Sequence, residues 1–343
     1  VTVDPEENKL IVAATNGNTA FDAVLPCRCE KGTKAITFLM STKIVDILRN
    51  LPTETVILTI KSEDQNCIVQ SGDKRSRMKV QISSADEYPA LMTEAETKST
   101  ELEMPAGLLK KIVKNVAFAA ATDERKPILK GLHFKSDGDN LVVTASDGYV
   151  VAVSRFATTA NSDINTVIPT EAMAKLSKLL PDTEEVVTIC SNDKGFVMSF
   201  GEEQRIRYGC KKLAGTFPDA ELPYNNLRKI VIDTNNLSKT LGRAALGVSP
   251  QFRAPIVFNM TSCDVTSCLR SSLLEAFERI DMVSSEMVEP VKIAFDVNLL
   301  KEVVSRVKEE DCEIYLENGE KPVHIISTDE EMNLHYIICP VAI

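Results

Sequence analysis

An internal repeat is the feature that most constrains how this chain can fold. Ile36–Ile60 reads as a strand, a short amphipathic helix, a Leu-Pro turn and a second strand, and Asn165–Ile189 has the same order. The Leu-Pro pairs of the two segments lie 129 residues apart, and the same distance separates Tyr88-Pro89 from Phe217-Pro218. Because these landmarks share one offset, the chain is predicted to be built from repeated structural units.

Further copies extend the repeat over the whole chain. Leu10–Gly17 matches Leu141–Gly148, and Ile293–Val304 with Cys312–Ile326 forms a fainter third copy of the strand, helix and hairpin. Three domains are therefore predicted, at residues 1–100, 101–228 and 229–343. The second and third domains open with a strand, a helix and a Pro-Ile segment that the first domain lacks. We therefore expect the native protein to be longer at its N-terminus by roughly 30 residues.

Secondary-structure signals within each unit predict the α+β class. Runs such as Leu141–Thr144 and Lys229–Ile232 are rich in β-branched residues and are separated by Gly, Asn and Asp turns. Each domain is expected to contain two β-meander halves with one helix apiece, the helices lying on antiparallel sheets.

Five amphipathic helices follow from the 3.6-residue periodicity of apolar positions. In one of them Leu109, Ile112, Val113 and Val116 form a stripe opposite three lysines, and Ile44, Val45 and Leu48 of another are expected to be buried. The predicted helices are Ser41–Asn50, Gly107–Ala121, Thr170–Leu180, Asn236–Leu246 and Asn298–Lys308.

Charge is sorted unevenly between these helices and the rest of the chain. The net charge is −10, yet the five helices together carry +9, so the remainder carries −19. A solvated lysine face is the ordinary reading of any one helix. Equivalent helices with the same sign favour instead a basic surface inside an acidic body, which attracts phosphates without reading bases.

Composition places the chain among cytosolic globular proteins. The 343 residues contain no apolar run near the ~20 residues that a membrane span needs. Val1–Pro5 has no basic or apolar signal region. Nine scattered cysteines, mostly within apolar runs, are typical of a reducing compartment. We therefore predict a cytoplasmic protein without membrane attachment.

Two motifs of the middle domain carry a family resemblance. Ala121–Gly131 (ATDERKPILKG) followed by Leu141–Val153 (LVVTASDGYVVAV), and Leu213–Asp219 (LAGTFPD), resemble the central domain of bacterial DNA sliding clamps, the β subunits of replicative DNA polymerase. The resemblance implies three similar domains per subunit and a head-to-tail homodimer that forms a ring around duplex DNA. Helices would line the hole and sheets would lie outside.

The same resemblance implies a non-catalytic processivity factor without a cofactor. Polymerase, clamp loader and repair proteins would bind through short Gln- and Leu/Phe-containing motifs in a cleft between the second and third domains. Position by position, that cleft comprises Leu129, Ser146, Gly148, Tyr149, Val150, Val151, Pro218, Phe252, Asp296, Leu299, Ile337, Cys339, Pro340, Val341, Ala342 and Ile343. Ordinary core at a domain junction is the alternative for each residue.

Two departures from the family pattern bear on this cleft. An Arg is usual at the position of Val150, and the usual Met-Pro-Met-Arg-Leu ending is here Cys-Pro-Val-Ala-Ile. Loss of both basic groups is expected to weaken selection for acidic or Gln-bearing peptide ends.

The basic surface and the subunit interface can also be assigned to residues. The DNA-facing cations are predicted to be Lys43, Arg49, Lys110, Lys111, Lys114, Lys175, Lys178, Lys239, Arg243, Lys301 and Arg306. By resemblance, a basic edge of the first domain meets an acidic edge of the third across the dimer. These edges comprise Lys74, Arg75, Arg77, Met78 and Val80 on one side, and Glu275 and Glu278 on the other.

Two other functional classes are weighed against a clamp. An enzyme finds little support, because the chain has three histidines and no phosphate loop, nucleophile elbow or His-Glu-x-x-His motif. Cys27-Arg28-Cys29 and the Cys263 and Cys268 pair lack zinc-finger spacing, so no metal site is predicted. An adaptor that binds only proteins would share the cleft but would not need basic helices.

Overall fold

A computed structural model of the protein describes residues 1–61, 63–88, 100–157, 164–192, 195–220, 222–248, 254–328 and 332–342. Within them lie five α-helices: α1 (Ile44–Arg49), α2 (Ala106–Val116), α3 (Thr170–Ser177), α4 (Thr234–Ala245) and α5 (Val297–Val304). Each falls inside or within two residues of a helix predicted from the sequence. Short 3₁₀ turns occupy Ala117–Ala119, Pro127–Lys130 and Glu202–Gln204.

Strands make up most of the remaining described chain. The first third contains β1 (Thr2–Asp4), β2 (Lys9–Thr15), β3 (Thr19–Pro26), β4 (Ile36–Thr37), β5 (Leu39–Met40), β6 (Val56–Lys61), β7 (Asn66–Ser71) and β8 (Arg77–Ser83). The middle third contains β9 (Thr100–Pro105), β10 (Gly131–Asp137), β11 (Asn140–Ser146), β12 (Val150–Ala157), β13 (Asn165–Pro169), β14 (Val186–Ser191), β15 (Phe196–Phe200) and β16 (Ile206–Cys210). The last third contains β17 (Arg228–Asp233), β18 (Pro255–Met260), β19 (Val265–Arg270), β20 (Glu275–Ile280), β21 (Met282–Ser285), β22 (Val291–Asp296), β23 (Asp311–Leu316), β24 (Val323–Thr328) and β25 (Asn333–Ile338).

These strands form antiparallel sheets that run across the predicted domain boundaries. One eight-stranded sheet has the order β4-β1-β2-β3-β16-β15-β14-β9, and a nine-stranded sheet has the order β13-β10-β11-β12-β25-β24-β23-β17-β21. Two four-stranded sheets, β5-β8-β7-β6 and β20-β19-β18-β22, belong to the first and last thirds. Neighbouring repeats are thus joined by strand pairing, β3 with β16 and β12 with β25.

The helices α2 to α5 lie on one face of the sheets, which we call the inner face. The predicted stripe Leu109, Ile112, Val113 and Val116 of α2 is buried. It belongs to a continuous core that also includes sheet residues such as Phe134. Asp233 begins α4 by accepting a hydrogen bond from the Asn236 N–H at 2.6 Å. This capping bond satisfies one of the free amides at the helix start.

Helix α1 departs from the sequence expectation. Ile44 is half-buried, but Val45 and Leu48, which were predicted to be buried, are exposed. The later repeats pack their helices in pairs, α2 against α3 and α4 against α5. No second helix lies beside α1 in the described chain, so its apolar face has no such cover.

The opposite, outer face of the nine-stranded sheet is crossed by the segment that links the second and third repeats, residues 211–220 and 222–227, which we call the crossing segment. His133 alternates with the inward-facing Phe134 and therefore points outward, where it stacks on Phe217 with ring centroids 4.9 Å apart. Tyr224 of the same segment contacts His324 and His335. All three histidines of the chain therefore pack against this crossing segment. No helix in the described ranges is long and apolar enough to cross a membrane.

Candidate functional site

The predicted DNA-facing cations differ in exposure and in partners. Most of them are exposed, namely Lys43, Arg49, Lys114, Lys175, Lys178, Lys239, Arg243 and Lys301, whereas Lys110 and Lys111 are half-buried. Lys175 pairs with Glu171 one helical turn earlier, at 2.6 Å. This pair is solvent-exposed, so it restrains the lysine only weakly.

Arg306 does not have the free, exposed side chain expected of it. Its side chain is 15% exposed and pairs with Glu302 at 2.9 Å. The guanidinium also lies 3.8 Å from the ring centroid of Phe118, a cation–π contact between the end of α5 and the segment after α2. Arg306 therefore contributes to packing between the second and third repeats. The sequence pattern showed its helical face but could not show this long-range neighbour.

The predicted partner-binding residues gather where a turn of the second repeat meets the C-terminal strand. The Asp147 carboxylate accepts hydrogen bonds from the Tyr149 and Val150 N–H groups, at 2.7 and 2.9 Å. The Cys339 N–H donates to the Tyr149 carbonyl at 2.8 Å, and the Val341 N–H donates to the Ala294 carbonyl at 2.8 Å. The Cys339 bond joins the turn to the chain end, and the Val341 bond joins the chain end to β22.

Only part of the predicted cleft set is accessible on this surface. Tyr149 is 50% exposed. Accessible or half-buried with it are Gly148, Val151, Pro218, Leu299, Cys339, Pro340, Val341 and Ala342. Leu129, Ser146 and Ile337 are buried. Phe252 and Ile343 lie outside the described residues. The accessible subset is more apolar than polar, which suits anchoring of peptide side chains.

Val150 and Asp296 have structural roles that the sequence did not indicate. Val150 is 1% exposed and lies in the inner-face core, so its side chain cannot line a surface cleft as predicted. Strand alternation explains this, because Val150 shares its face with the core residue Ala152. Asp296 caps α5, accepting from the Asn298 and Leu299 N–H groups at 2.9 and 3.0 Å.

The predicted basic edge lies on β8 and the turn before it. Lys74 has a positive φ of 62° within that turn, and the Arg75 side chain is 86% exposed. Along β8, Met78 and Val80 are half-buried and Arg77 is exposed. Lys79 shares the exposed face with Arg77 but was not singled out from the sequence. The strict alternation of β8 would have identified it.

The two predicted acidic residues of β20 face opposite sides of the sheet. Glu275 is exposed and pairs with Arg270 at 2.7 Å. Glu278 accepts hydrogen bonds from Arg243 Nε at 2.7 Å and from the Thr240 hydroxyl at 2.9 Å. The hydrogen bond from Arg243 lowers the pKa of Glu278. Glu278 therefore belongs to the surface of α4, whereas Glu275 faces solvent.

Two imidazoles with lowered pKa values lie side by side near these surfaces, His324 buried and His335 half-buried. His324 Nδ1 and His335 Nε2 are 2.8 Å apart on adjacent strands. Burial, with a smaller contribution from His324, lowers the pKa of His335 to about 4. Both rings are therefore neutral at pH 7 and pack as aromatic surfaces against Tyr224.

Two features that could have indicated a small-molecule or metal site were also located. A cavity of about 490 Å³ lies on the outer face beneath the crossing segment, with His133, Lys135 and Leu213 among its lining residues. It shares Pro218 alone with the predicted cleft. No group of three or more His, Cys, Asp or Glu residues is arranged to hold a metal ion in the described part of the chain.

Comparison with protein families gives a match to each repeat. The N-terminal, central and C-terminal domains described for the DNA polymerase III beta subunit match residues 1–92, 103–219 and 220–342, respectively. These ranges follow the predicted repeats, although the predicted limits at residues 100 and 228 stay predictions.

Individual relatives are similar over most of the chain. The beta sliding clamp of Streptococcus pneumoniae serotype 4 is 24% identical over 352 aligned positions, which cover 99% of this chain and 90% of that protein. That of Bacillus subtilis is 27% identical over 205 positions, covering 59% of this chain and 52% of that protein. The crystal structure of the Bacillus subtilis DNA polymerase sliding clamp superposes with a TM-score of 0.86 at 20% identity, covering 100% of this chain and 90% of that one. That structural match shows the fold.

Proposed function

This chain belongs to the DNA polymerase III β subunit family of sliding clamps, and we propose that it closes, as a homodimer, into a ring around duplex DNA that tethers the replicative polymerase. The observation that carries the proposal is the way the repeats join. Each intrachain junction is an antiparallel strand pair, and within the described residues one strand of each kind has an outer edge that is largely open.

The strands with an open outer edge are β8 and β20. At the first junction the third strand of one repeat, β3, pairs with the last strand of the next, β16. At the second junction β12 pairs with β25 in the same way. Strand β20 ends the meander β18-β19-β20 of the last repeat, as β3 and β12 end the meanders of the first two, and β8 is the last strand of the first repeat. Nothing in the described chain covers the outer edges of β8 and β20 beyond the short pairing of β5 with β8. Such edges readily pair with another chain.

Exposed apolar side chains near β20 support a protein partner there. Leu246 is 83% exposed, Leu273 is 80% exposed and Phe277 is 68% exposed. Large apolar groups clustered at an open sheet edge are typical of surfaces that a partner buries. Head-to-tail pairing of two copies through β8 and β20 would cover them and would close six repeats into a ring.

The helices supply the proposed DNA-facing surface. Four of them share the inner face, and their exposed cations include Lys114, Lys178, Lys239 and Lys301. Contacts of lysines with phosphate are independent of base sequence, which suits a ring that slides. We assign no catalytic role and no cofactor to the chain.

The partner-binding surface is proposed at the meeting of the Tyr149 turn with the C-terminal segment. Its accessible residues could anchor short apolar peptide motifs of polymerase, clamp loader and repair proteins. Since Val150 is buried, selection among partners would depend on Tyr149, Leu299 and Val341 and not on position 150.

Sedimentation and salt-dependent DNA binding test this proposal together. Sedimentation should give the wild-type protein a mass twice that of its 37.7 kDa chain. Changing both Arg75 and Arg77 to Glu should shift the measured mass toward that of the monomer. Neutralising five helix lysines distinguishes a clamp from an adaptor that binds only proteins. The DNA affinity of a clamp should fall, whereas an adaptor should show no change in DNA binding. The lysines are Lys110, Lys111, Lys114, Lys175 and Lys178. A strictly monomeric wild type would overturn the ring.

A further inference from the structure

The cavity beneath the crossing segment has a floor made of side chains from three adjacent strands. His133 of β10 lies directly opposite Thr144 of β11 and Val167 of β13, and Lys135 lies directly opposite Asn165. Directly opposite residues of antiparallel strands share one face of the sheet, so all five side chains point outward with His133. The same five residues line the cavity of about 490 Å³, and residues 212–220 of the crossing segment form its roof.

The polar part of this floor consists mainly of hydrogen-bond donors. Thr144 is 6% exposed, and its hydroxyl makes no hydrogen bond to another residue that the structure describes. His133 Nε2 lies 2.9 Å from Asn165 Oδ1. Burial lowers the pKa of His133, so the ring is neutral at pH 7 and donates this bond. The Asn165 amide nitrogen therefore remains a donor, and Lys135 adds an exposed ammonium group.

The charged residues that line the cavity are basic on balance. Lys135 and Lys212 face one carboxylate, that of Asp219, whereas the whole chain has a net charge of −10. An anionic group is therefore attracted to this cavity more than to the acidic surface around it. Hydrogen bonds from an ammonium, a hydroxyl and an amide are those that a carboxylate accepts most favourably.

The cavity is continuous with the proposed partner-binding surface along β11. Thr144 lines the cavity, and Ser146, the next residue of β11 on the same face, belongs to the predicted cleft. Two residues of a strand span about 7 Å. Pro218 also lines the cavity and belongs to the predicted cleft. A peptide in the cleft therefore has the cavity within reach of the residues beside its motif.

A small apolar cluster forms the wall that the cleft and the cavity share. Leu129 of the predicted cleft packs with Val167 and Phe217 of the cavity lining. The stacking of His133 on Phe217 and the hydrogen bond from the Leu213 N–H to the Val167 carbonyl, at 2.8 Å, hold the crossing segment over the floor. The cavity is thus formed before a ligand arrives, which lowers the entropy cost of binding.

We propose that this cavity binds an acidic side chain, Asp or Glu, that flanks the partner motif held in the cleft. The carboxylate accepts hydrogen bonds from the Lys135 ammonium, the Thr144 hydroxyl and the Asn165 amide. The acidic subsite rests on the proposed partner-binding surface and adds the chemistry of the motif's flank. Lys135 thereby supplies the basic group that the cleft lacks at position 150 and at the chain end.

Peptide binding measured by fluorescence anisotropy tests this subsite. The labelled Gln-Leu-x-Leu-Phe peptide is compared with versions that carry two Glu or two Gln residues at either end, all amidated at the C-terminus. At one end the Glu extension should tighten binding about fivefold over the Gln extension, as one partly exposed ion pair can. Lys135→Gln and Thr144→Val should each reduce this gain, and should change the dissociation constant of the unextended peptide by less than about twofold.

Charge reversal at the same position gives a sharper readout than removal of the charge. Lys135→Glu should bind a Lys-extended peptide more tightly than the Glu-extended one, opposite to the wild type. Lys61→Gln removes an exposed lysine of the first repeat and is the matched control for net charge, so it should keep the full gain. If Lys61→Gln and Lys135→Gln reduce the gain equally, the attraction is general and the cavity is not the site.

The outcomes separate the acidic subsite from the partner-binding surface. If the wild type binds the unextended peptide but the Glu extension gives no gain over Gln at either end, the subsite is overturned and the cleft stands. A gain that survives both Lys135→Gln and Thr144→Val overturns the subsite as well. If the wild type binds none of the peptides, the partner-binding surface is wrong and the subsite falls with it.

Discussion

Arg207 and Asp22 form a bidentate ion pair across the junction of the first and second repeats, with Nε and a terminal nitrogen donating at 2.9 and 2.6 Å. Asp22 is buried, and 185 residues separate the two in sequence. The pair lies directly opposite in the β3–β16 ladder. It therefore fastens the first two repeats to each other across their strand junction.

Substitution of Asp22 should loosen the first junction. Asp22→Asn leaves Arg207 without its charged partner in a partly desolvated site, and we expect the free energy of unfolding to fall by about 2 kcal/mol. Urea denaturation measures this. Asp137→Asn is the matched control, because it breaks the exposed pair with Arg155 and should cost below about 1 kcal/mol. Equal losses in the two variants would contradict a special role for the junction pair.

Stability should fall in mild acid because of the imidazole pair. The folded-state pKa of His335 is lowered to about 4, whereas an unfolded histidine titrates near 6.5. As pH falls below about 6.5 the unfolded state takes up a proton that the folded state resists, so the free energy of unfolding decreases down to about pH 4. Each unit of pKa difference corresponds to about 1.4 kcal/mol.

The variant His335→Gln isolates this contribution. Between about pH 6.5 and 5, where most carboxylates stay ionised, the slope of unfolding free energy against pH should be clearly shallower in the variant than in the wild type. Chemical denaturation at several pH values provides both slopes. Identical slopes would mean that His335 titrates normally in the folded protein.

Charge on the inner face should control DNA affinity, while charge on the outer face should not. Lys114→Glu is expected to weaken binding to a duplex of about 30 base pairs and to reduce the slope of log affinity against log salt by about 0.9 per lost phosphate contact. Lys135→Glu, exposed on the outer face, makes the same change in net charge and serves as the control. Equal effects of both variants would contradict the assignment of the inner face to DNA.

The exposed tyrosine of the 146–149 turn should anchor partner peptides. We expect Tyr149→Ala to weaken binding of a Gln-Leu-x-Leu-Phe peptide about tenfold, because a half-exposed aromatic ring at the centre of an apolar surface supplies much of the contact. Fluorescence anisotropy with a labelled peptide measures the dissociation constant. Leu179→Ala removes an exposed apolar side chain outside this surface and should change it less than twofold. If Tyr149→Ala binds the peptide as tightly as the wild type does, the peptide-binding site does not lie at this turn.

Local periodicity was sufficient to predict much of this fold. All five helices of the described residues lie where the 3.6-residue pattern indicated. The apolar stripe of α2 is buried as expected, because strands β11 and β12 and helix α3 all pack against α2. Val45 and Leu48 of α1 are exposed because burial also requires a partner element, which a local pattern does not specify.

Features that depend on distant neighbours could not be read from the sequence. The continuity of sheets across repeats, the Arg207–Asp22 pair and the contact of Arg306 with Phe118 all join segments far apart in the chain. Val150 was assigned to a surface by resemblance, although its own alternation with Val151 already allowed an inward-facing position. The division of Glu275 and Glu278 between two faces follows from strand geometry once β20 is known.

Topological attachment to DNA is the most direct test of a closed ring. A variant with one cysteine introduced on β8 and one on β20 would be oxidised in the presence of a nicked circular plasmid and then washed in about 1 M salt, which screens contacts with phosphate. We predict that the covalent ring stays on the circle and is released when the plasmid is cut once. Loss from the intact circle in salt, at the same rate as from linear DNA, would contradict a protein that encircles its template.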